Sequence, residues 1–205
     1  MKPYRILILV LAVALAASAC VKLGGKPVDK RYYQLSPERT AAAATQPREE
    51  TLKIRRLAVS DLYNARELVY RGPEGAIDSD FYNLLFVTPG NMLTTELRRW
   101  LTESGLFTHI VAPGSLVVPG LTLEGMVNAL YGDYSGPAPA AVVEMQFFVV
   151  DESNAENAIV FAGSYKERVP LASADPQTLV QGMTQAVAHI FTNLENDLAV
   201  APLEN

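Results

Sequence analysis

Three consecutive stretches alternate apolar and polar residues with period two, and no other feature of the chain narrows its fold as much. "GLTLEGMVNALYGDY" places Leu121, Leu123, Val127, Ala129 and Tyr131 on one face, with Thr122, Glu124 and Asn128 on the other. "AAVVEMQFFVVD" follows with Val143, Met145, Phe147 and Val149, and "NAIVFAGSYKERV" with Ile159, Phe161 and Tyr165. Alternation of this kind marks half-buried strands. The turn-rich "YSGPAP" and "DESNAEN" that separate them make an antiparallel meander the economical reading. One face of such a sheet needs cover.

Two amphipathic helices can provide it. Thr88-Pro89 has the form of a helix start, a capping hydroxyl followed by a proline at the first helical position. Met92, Leu93, Leu97, Trp100 and Leu101 follow at helical spacing, and Gly105 is the expected stop. Asp175-Pro176 opens a second helix whose stripe is Leu179, Met183, Val187, Ile190, Leu194 and Leu198. Such a stripe suits core packing better than a partner helix or cofactor. The N-terminal half adds shorter strands. "RYYQLS" turns Tyr33 and Leu35 to one face, and "LKIRRLAVS" sets Leu52, Ile54 and Ala58 against Lys53 and Arg55. "ELVYRG" reads as another strand with "GPEG" as its turn, while "PERTAAAATQPREE" reads as a loop. The predicted fold is α/β: a mixed, largely antiparallel sheet packed by two main helices. There is no internal repeat and no second domain.

The chain begins "MKPYRILILVLAVALAASAC", with Lys2 and Arg5, an apolar run from Ile6 to Ala17, and small residues before Cys20. That is the layout of a secretory signal, and the run falls short of the roughly 20 residues of a membrane span. The expected organisation is a removed signal peptide over 1–19, a lipidated Cys20 with a tether over 20–30, and a single domain over 31–200. Small residues directly before the cysteine resemble a bacterial lipobox, although Ala17 stands where leucine is most common. Ordinary cleavage that leaves Cys20 as a free thiol is the alternative. As the only cysteine, Cys20 cannot form an internal disulfide. Losing Lys2 and Arg5 leaves 15 basic residues against 22 acidic ones, a net charge of −7. This balance argues against nucleic-acid binding and against charge-driven attraction to anionic lipid. Membrane contact is expected through the N-terminal lipid.

No nucleophile elbow, P-loop, zinc-protease helix or cysteine cluster occurs, and no cofactor is implied. His109 and His189 are the only histidines, and surface or packing roles suit them better than metal ligation. Asp78-Ser79-Asp80 lacks the rest of a calcium-loop signature and reads as a solvated turn. "IDSDFYNLLFVTPGNM" sets Phe81, Tyr82, Leu84, Leu85 and Phe86 just before the first helix. A buried edge strand is one reading of this row, and an apolar contact for a partner or for lipid is the other.

"YYQLS" soon after the cysteine, "ELVYR", "FVTPGNMLTTELRRWLTESGLF", "LEGMVNALYGDY" and "LVQGMTQAVAHIFTNLENDL" form an ordered set that spans the mature chain. The set resembles the ABC-type transport auxiliary lipoproteins, the PqiC-like accessories of MCE-type lipid transporters in Gram-negative envelopes. Phe86 stands where many of those proteins carry tryptophan. The resemblance implies a sandwich related to the amino-terminal domain of TolB-type proteins. It also implies a non-enzymatic component, lipid-anchored on the periplasmic face of the outer membrane, that helps an MCE-domain protein bridge the envelope. Val21 is not the aspartate that retains enteric lipoproteins in the inner membrane, so outer-membrane sorting is expected. Arg71, Tyr82 and Phe86 are the candidate partner contacts, with pairing of Arg71 to Asp78 or Asp80 as the alternative for that residue. A homo-oligomer stays open. A structural or assembly lipoprotein serving a cell-wall synthase or an outer-membrane protein complex is the second functional class.

Overall fold

The alternating runs become strands and the two apolar stripes become helices. Their order is β1 (Arg31–Tyr33), β2 (Arg48–Ile54), β3 (Ala58–Val59), β4 (Glu67–Arg71), β5 (Ile77–Leu85), α1 (Pro89–Ser104), β6 (Phe107–Val111), β7 (Leu121–Asp133), β8 (Ala140–Asp151), β9 (Ala158–Pro170) and α2 (Pro176–Val200). The computed structural model describes residues 29–153 and 156–203, together with Tyr4. The rest of the expected signal peptide, Cys20 and the tether as far as Val28 lie outside the described residues. The elements named here belong to the compact unit Arg31–Asn205, and Met1–Lys30 is a unit of its own. Among the described residues no helix is long and apolar enough to cross a membrane.

β7 organises the sheet. Along one edge it pairs antiparallel with β8, from Leu121 opposite Asp151 to Asp133 opposite Ala140, and β8 pairs in the same way with β9. This is the expected meander. Along the other edge of β7, three short strands lie end to end and parallel to it. β2 pairs at Leu121–Leu123, β3 at Met126 and Val127, and β4 at Gly132 and Asp133. Beyond them, β2 continues to β6 in parallel, while β4 continues to β5 antiparallel and β5 to β1 in parallel. The sheet is therefore mixed, and its antiparallel ladders are the long ones. The strand expected over "LKIRRLAVS" breaks in the middle, and part of the expected loop before it, Arg48–Glu50, joins β2. Leaving the ladder lets Leu57 become buried while Ala58 is exposed, the reverse of the expected phase. The Leu57 amide donates instead to Thr94 Oγ1 on α1 at 2.9 Å.

Both helices pack on one face of this sheet. Every residue of the α2 stripe is buried, and the side chains of Val143, Met145, Phe147 and Val149 from β8 lie in the same core. Asp175 caps α2 as the sequence predicts, its carboxylate accepting from the amides of Gln177 and Thr178 at 3.0 Å each. Thr88 stands at the N-cap of α1 but its hydroxyl makes no capping bond; its carbonyl accepts from Asn91 and Met92. Gly105 ends α1 in the left-handed conformation, with φ 63°, which a residue without Cβ adopts freely. The helices meet where the Trp100 and Phe191 rings cross edge to face at 5.7 Å. Beside them Glu195 accepts from Trp100 Nε1 at 2.8 Å and from Arg39 Nε and Nη2 at 2.9 and 2.7 Å. Arg39 also donates to the carbonyls of Ala41 and Ala42, so one buried ion pair pins the polar loop before β2 onto both helices.

Two bulges change the faces that counting by twos assigns. Val127 pairs with Met145 but Ala129 pairs with Glu144, so Asn128 is an extra residue. Leu121, Leu123 and Val127 face the helices as expected, whereas Ala129 and Tyr131 join Val69 and Val142 in a small second cluster. Tyr63 covers that cluster, its ring stacked on Tyr131 at 5.8 Å. In β9 the extra residue is Val160, because Phe161 pairs with Val149 and Ile159 with Val150. Phe161 and Tyr165 pack on the core, but Ile159 is exposed.

Candidate contact surface

The apolar row before α1 divides into buried and exposed parts. β5 is one strand in from the sheet edge, covered by the three residues of β1. Leu84 and Leu85 are buried, while Phe81, Tyr82 and Phe86 are exposed, Phe86 to 65%. The row is thus a covered strand with an exposed aromatic fringe, which corrects the edge-strand reading.

An irregularity in the β4–β5 ladder produces the fringe. Val69 pairs with Ser79 and Glu67 with Leu84, so the four residues Asp80–Asn83 stand opposite Leu68 alone. Excess residues on one strand force it to bow out and re-aim its side chains. Asp80 holds the bow in shape. Its Oδ1 accepts from the amides of Tyr82 and Asn83 at 2.9 and 3.0 Å, and its Oδ2 accepts from the Tyr70 hydroxyl and Asn83 Nδ2 at 2.7 and 2.9 Å. The Tyr33 hydroxyl then donates to Asn83 Oδ1 at 3.0 Å, which ties β1 to the same knot. Burial pushes the Asp80 carboxyl up, but the hydrogen bonds from Tyr70, Tyr82 and Asn83 together outweigh it and hold the group below its ordinary range. Burial, followed by the bond to Asp80, pushes the Tyr70 phenol up. Asp80 is thus a structural acceptor at a turn within β5. "DFYN", an aspartate three residues before an asparagine, carries this signal in the sequence.

On the bow, the Phe81 and Tyr82 rings meet edge to face at 5.2 Å. Further along, the Phe86 ring meets Tyr32 of β1 edge to face at 6.2 Å. The Arg66 guanidinium lies 5.3 Å from the centre of the Tyr32 ring and donates from Nε to the Leu85 carbonyl at 3.0 Å. Tyr32 and Arg66 thereby enter the surface, although residue patterns in their own segments did not single them out. Phe86 and Val87 also line a groove of about 300 Å³ against Asn91, Met92 and Thr95 of α1.

Arg71 lies elsewhere. It ends β4 and is exposed, with the Tyr131 hydroxyl and Asp133 near its guanidinium on the face away from the helices. Neither Asp78 nor Asp80 engages it, since Asp80 is occupied by the knot. The nearby Tyr131 hydroxyl, the larger cause, and the Asp133 charge both raise the Arg71 guanidinium. On the same sheet face, Ser135 first and then Arg168 hold the Asp133 carboxyl down at about 2. The three candidate contacts therefore fall on two surfaces: Tyr82 and Phe86 on the aromatic fringe, Arg71 on a charged sheet face. His109 lies on β6, and His189 on α2 stands 3.4 Å from Glu167. Among the described residues no group of three or more His, Cys, Asp or Glu side chains is placed to hold a metal ion.

The fold has counterparts among solved structures. A crystal structure of a Xanthomonas campestris protein matches with a TM-score of 0.73 at 18% identity, covering 83% of this chain and 95% of that one. An uncharacterized protein matches with a TM-score of 0.66 at 16% identity, covering 83% and 99%. A PelC dodecamer from Paraburkholderia phytofirmans gives a TM-score of 0.47 at 15% identity over 77% and 95%. No curated protein matches the chain. Residues 33–194, from the last residue of β1 to within α2, match a family model, and the chain belongs to the family of ABC-type transport auxiliary lipoprotein components.

Proposed function

We propose that this protein is a non-enzymatic accessory of an MCE-type lipid transport system. Its acylated Cys20 holds it at the periplasmic face of the outer membrane, and its domain binds the MCE-domain protein to help bridge the envelope. The observation that carries this reading is the family match over 33–194, which begins 13 residues after a lipobox-like cysteine. Several acyl chains on that cysteine make a nearly permanent anchor, because each buried methylene contributes about 0.8 kcal/mol and a single chain binds only marginally. Arg71 is the proposed contact for the protein partner: it sits among charged neighbours, Asp133 and Arg168, that suit a polar docking face. Tyr82 and Phe86 form the proposed contact on the aromatic fringe.

A mild-detergent affinity pull-down of the full-length protein from its own envelope tests the proposal, with Cys20→Ala as the comparison. Recovery of an MCE protein with its permease and ATPase, reduced in the Cys20→Ala sample, supports it. Recovery of a cell-wall synthase or an outer-membrane assembly complex instead replaces it with the structural-lipoprotein alternative.

A further inference from the structure

The aromatic fringe lies where the chain coming from Cys20 enters the fold. Tyr32 is the second residue of β1 and stands 12 residues after the cysteine. A chain of that length reaches at most about 43 Å. With the acyl chains in a bilayer, the tether keeps this sheet edge close to the lipid surface. Close tethering gives the fringe a high effective concentration at that surface, so even a weak contact is occupied.

The chemistry of the fringe suits that surface. Tyrosine and other amphipathic rings concentrate where hydrocarbon meets headgroups, and long basic side chains accompany them by reaching to the phosphates. Here two tyrosines and two phenylalanines are exposed on β1, on β5 and just beyond it, with Arg66 against Tyr32 and Arg31 exposed beside it. The Asp80 knot holds the backbone of the bow in place, so displaying these rings does not depend on a floppy loop. Net charge does not drive the contact, because the mature chain is acidic; apolar area and proximity do.

We propose that the β1–β5 aromatic fringe seats in the headgroup region of the bilayer that holds the Cys20 lipid. The domain is then docked in a fixed orientation instead of swinging on its tether. This inference rests on the lipoprotein reading above and names the occupant of the Tyr82 and Phe86 surface. β9 lies on the opposite side of β7 from β1, so docking leaves that edge facing the periplasm.

The test uses the full-length acylated protein reconstituted into phosphatidylethanolamine and phosphatidylglycerol vesicles, with and without brominated acyl chains. Trp100 is the only native tryptophan and is buried, so wild-type emission supplies a background to subtract. Phe86→Trp and Tyr32→Trp report on the fringe. Ile159→Trp on β9, an exposed position in the meander, is the control. Mass spectrometry of the amino terminus accompanies every sample. The expected result is quenching of the fringe tryptophans by about twofold or more, as for rings held at headgroup depth, with Ile159→Trp unchanged. Acylated protein with no quenching on the fringe, or with equal quenching at position 159, overturns the inference. Fringe emission that responds only to an added MCE protein assigns the surface to a protein and also overturns it. A Cys20 without acyl chains refutes the lipoprotein reading itself, and the docking inference falls with it.

Discussion

Replacing Glu195 by leucine should destabilise the domain more than any comparable surface change, because Glu195 is the shared acceptor of a buried cluster. Its carboxylate takes two hydrogen bonds from Arg39 and one from Trp100, and the side chains of the ion pair are only 5% and 15% exposed. Glu195→Leu leaves the Arg39 charge without its carboxylate and the Trp100 N–H without its acceptor. Removing one partner of a buried pair costs about 3–5 kcal/mol. For a domain of this size that lowers the melting temperature by about 6–20 °C. The same principle gives the control its meaning, since replacing both partners with apolar residues of similar volume is often neutral. Arg39→Met with Glu195→Leu should therefore recover most of the loss. Urea denaturation of the unit beginning at Arg31, followed by Trp100 fluorescence, reads both quantities, with circular dichroism as a second probe because the mutation touches the indole. A Glu195→Leu cost below about 1 kcal/mol, the range of an exposed pair, refutes the reasoning. So does a double variant no more stable than the single one.

Three further outcomes are expected. Gly125→Ala should cost about 1–3 kcal/mol by overpacking, because its new Cβ would lie 2.7 Å from both Leu57 Cδ2 and Phe147 Cδ1; Gly136→Ala, with nothing within 4 Å, should be neutral in the same denaturation assay. Asp175→Ala removes the cap of α2 and should cost about 0.5–2 kcal/mol, read as a shift in denaturation midpoint at unchanged slope. Asp80 and Asp133 are held below the ordinary carboxylate range. Their contribution is therefore present above about pH 4 and is lost as pH falls through their folded values. Stability measured at descending pH should show that loss, and Asp80→Asn should make it shallower.

The sequence discloses what local periodicity encodes. The α2 stripe at Leu179, Met183, Val187, Ile190, Leu194 and Leu198 is buried as a unit, and the Asp175 cap and the Gly105 stop fall where predicted. It does not disclose an extra residue in a strand. Asn128 and Val160 each shift the phase, so Ala129, Tyr131 and Ile159 change faces although their own residue types are ordinary. Nor does it disclose partners distant in the chain. Arg71 meets Tyr131 rather than the aspartates a few residues away, and Arg39 finds Glu195 across 156 positions. On the contact surface, Phe81, Tyr82 and Phe86 are visible as an apolar row. Their exposure follows from the bow opposite Leu68, which depends on strand register and not on composition.

The three short strands laid along β7 also impose an order of events on synthesis. Leu52 pairs with Leu121 and Tyr70 with Gly132, so β2, β3 and β4 are synthesised long before their common template exists. Pairings of such sequence separation form slowly, whereas β7, β8, β9 and α2 are neighbours in the chain and can assemble first. β4 can pair early with β5, but the edges of β2, β3 and β4 that face β7 stay open to other chains until it arrives. A holding chaperone would have its work on this protein in that interval.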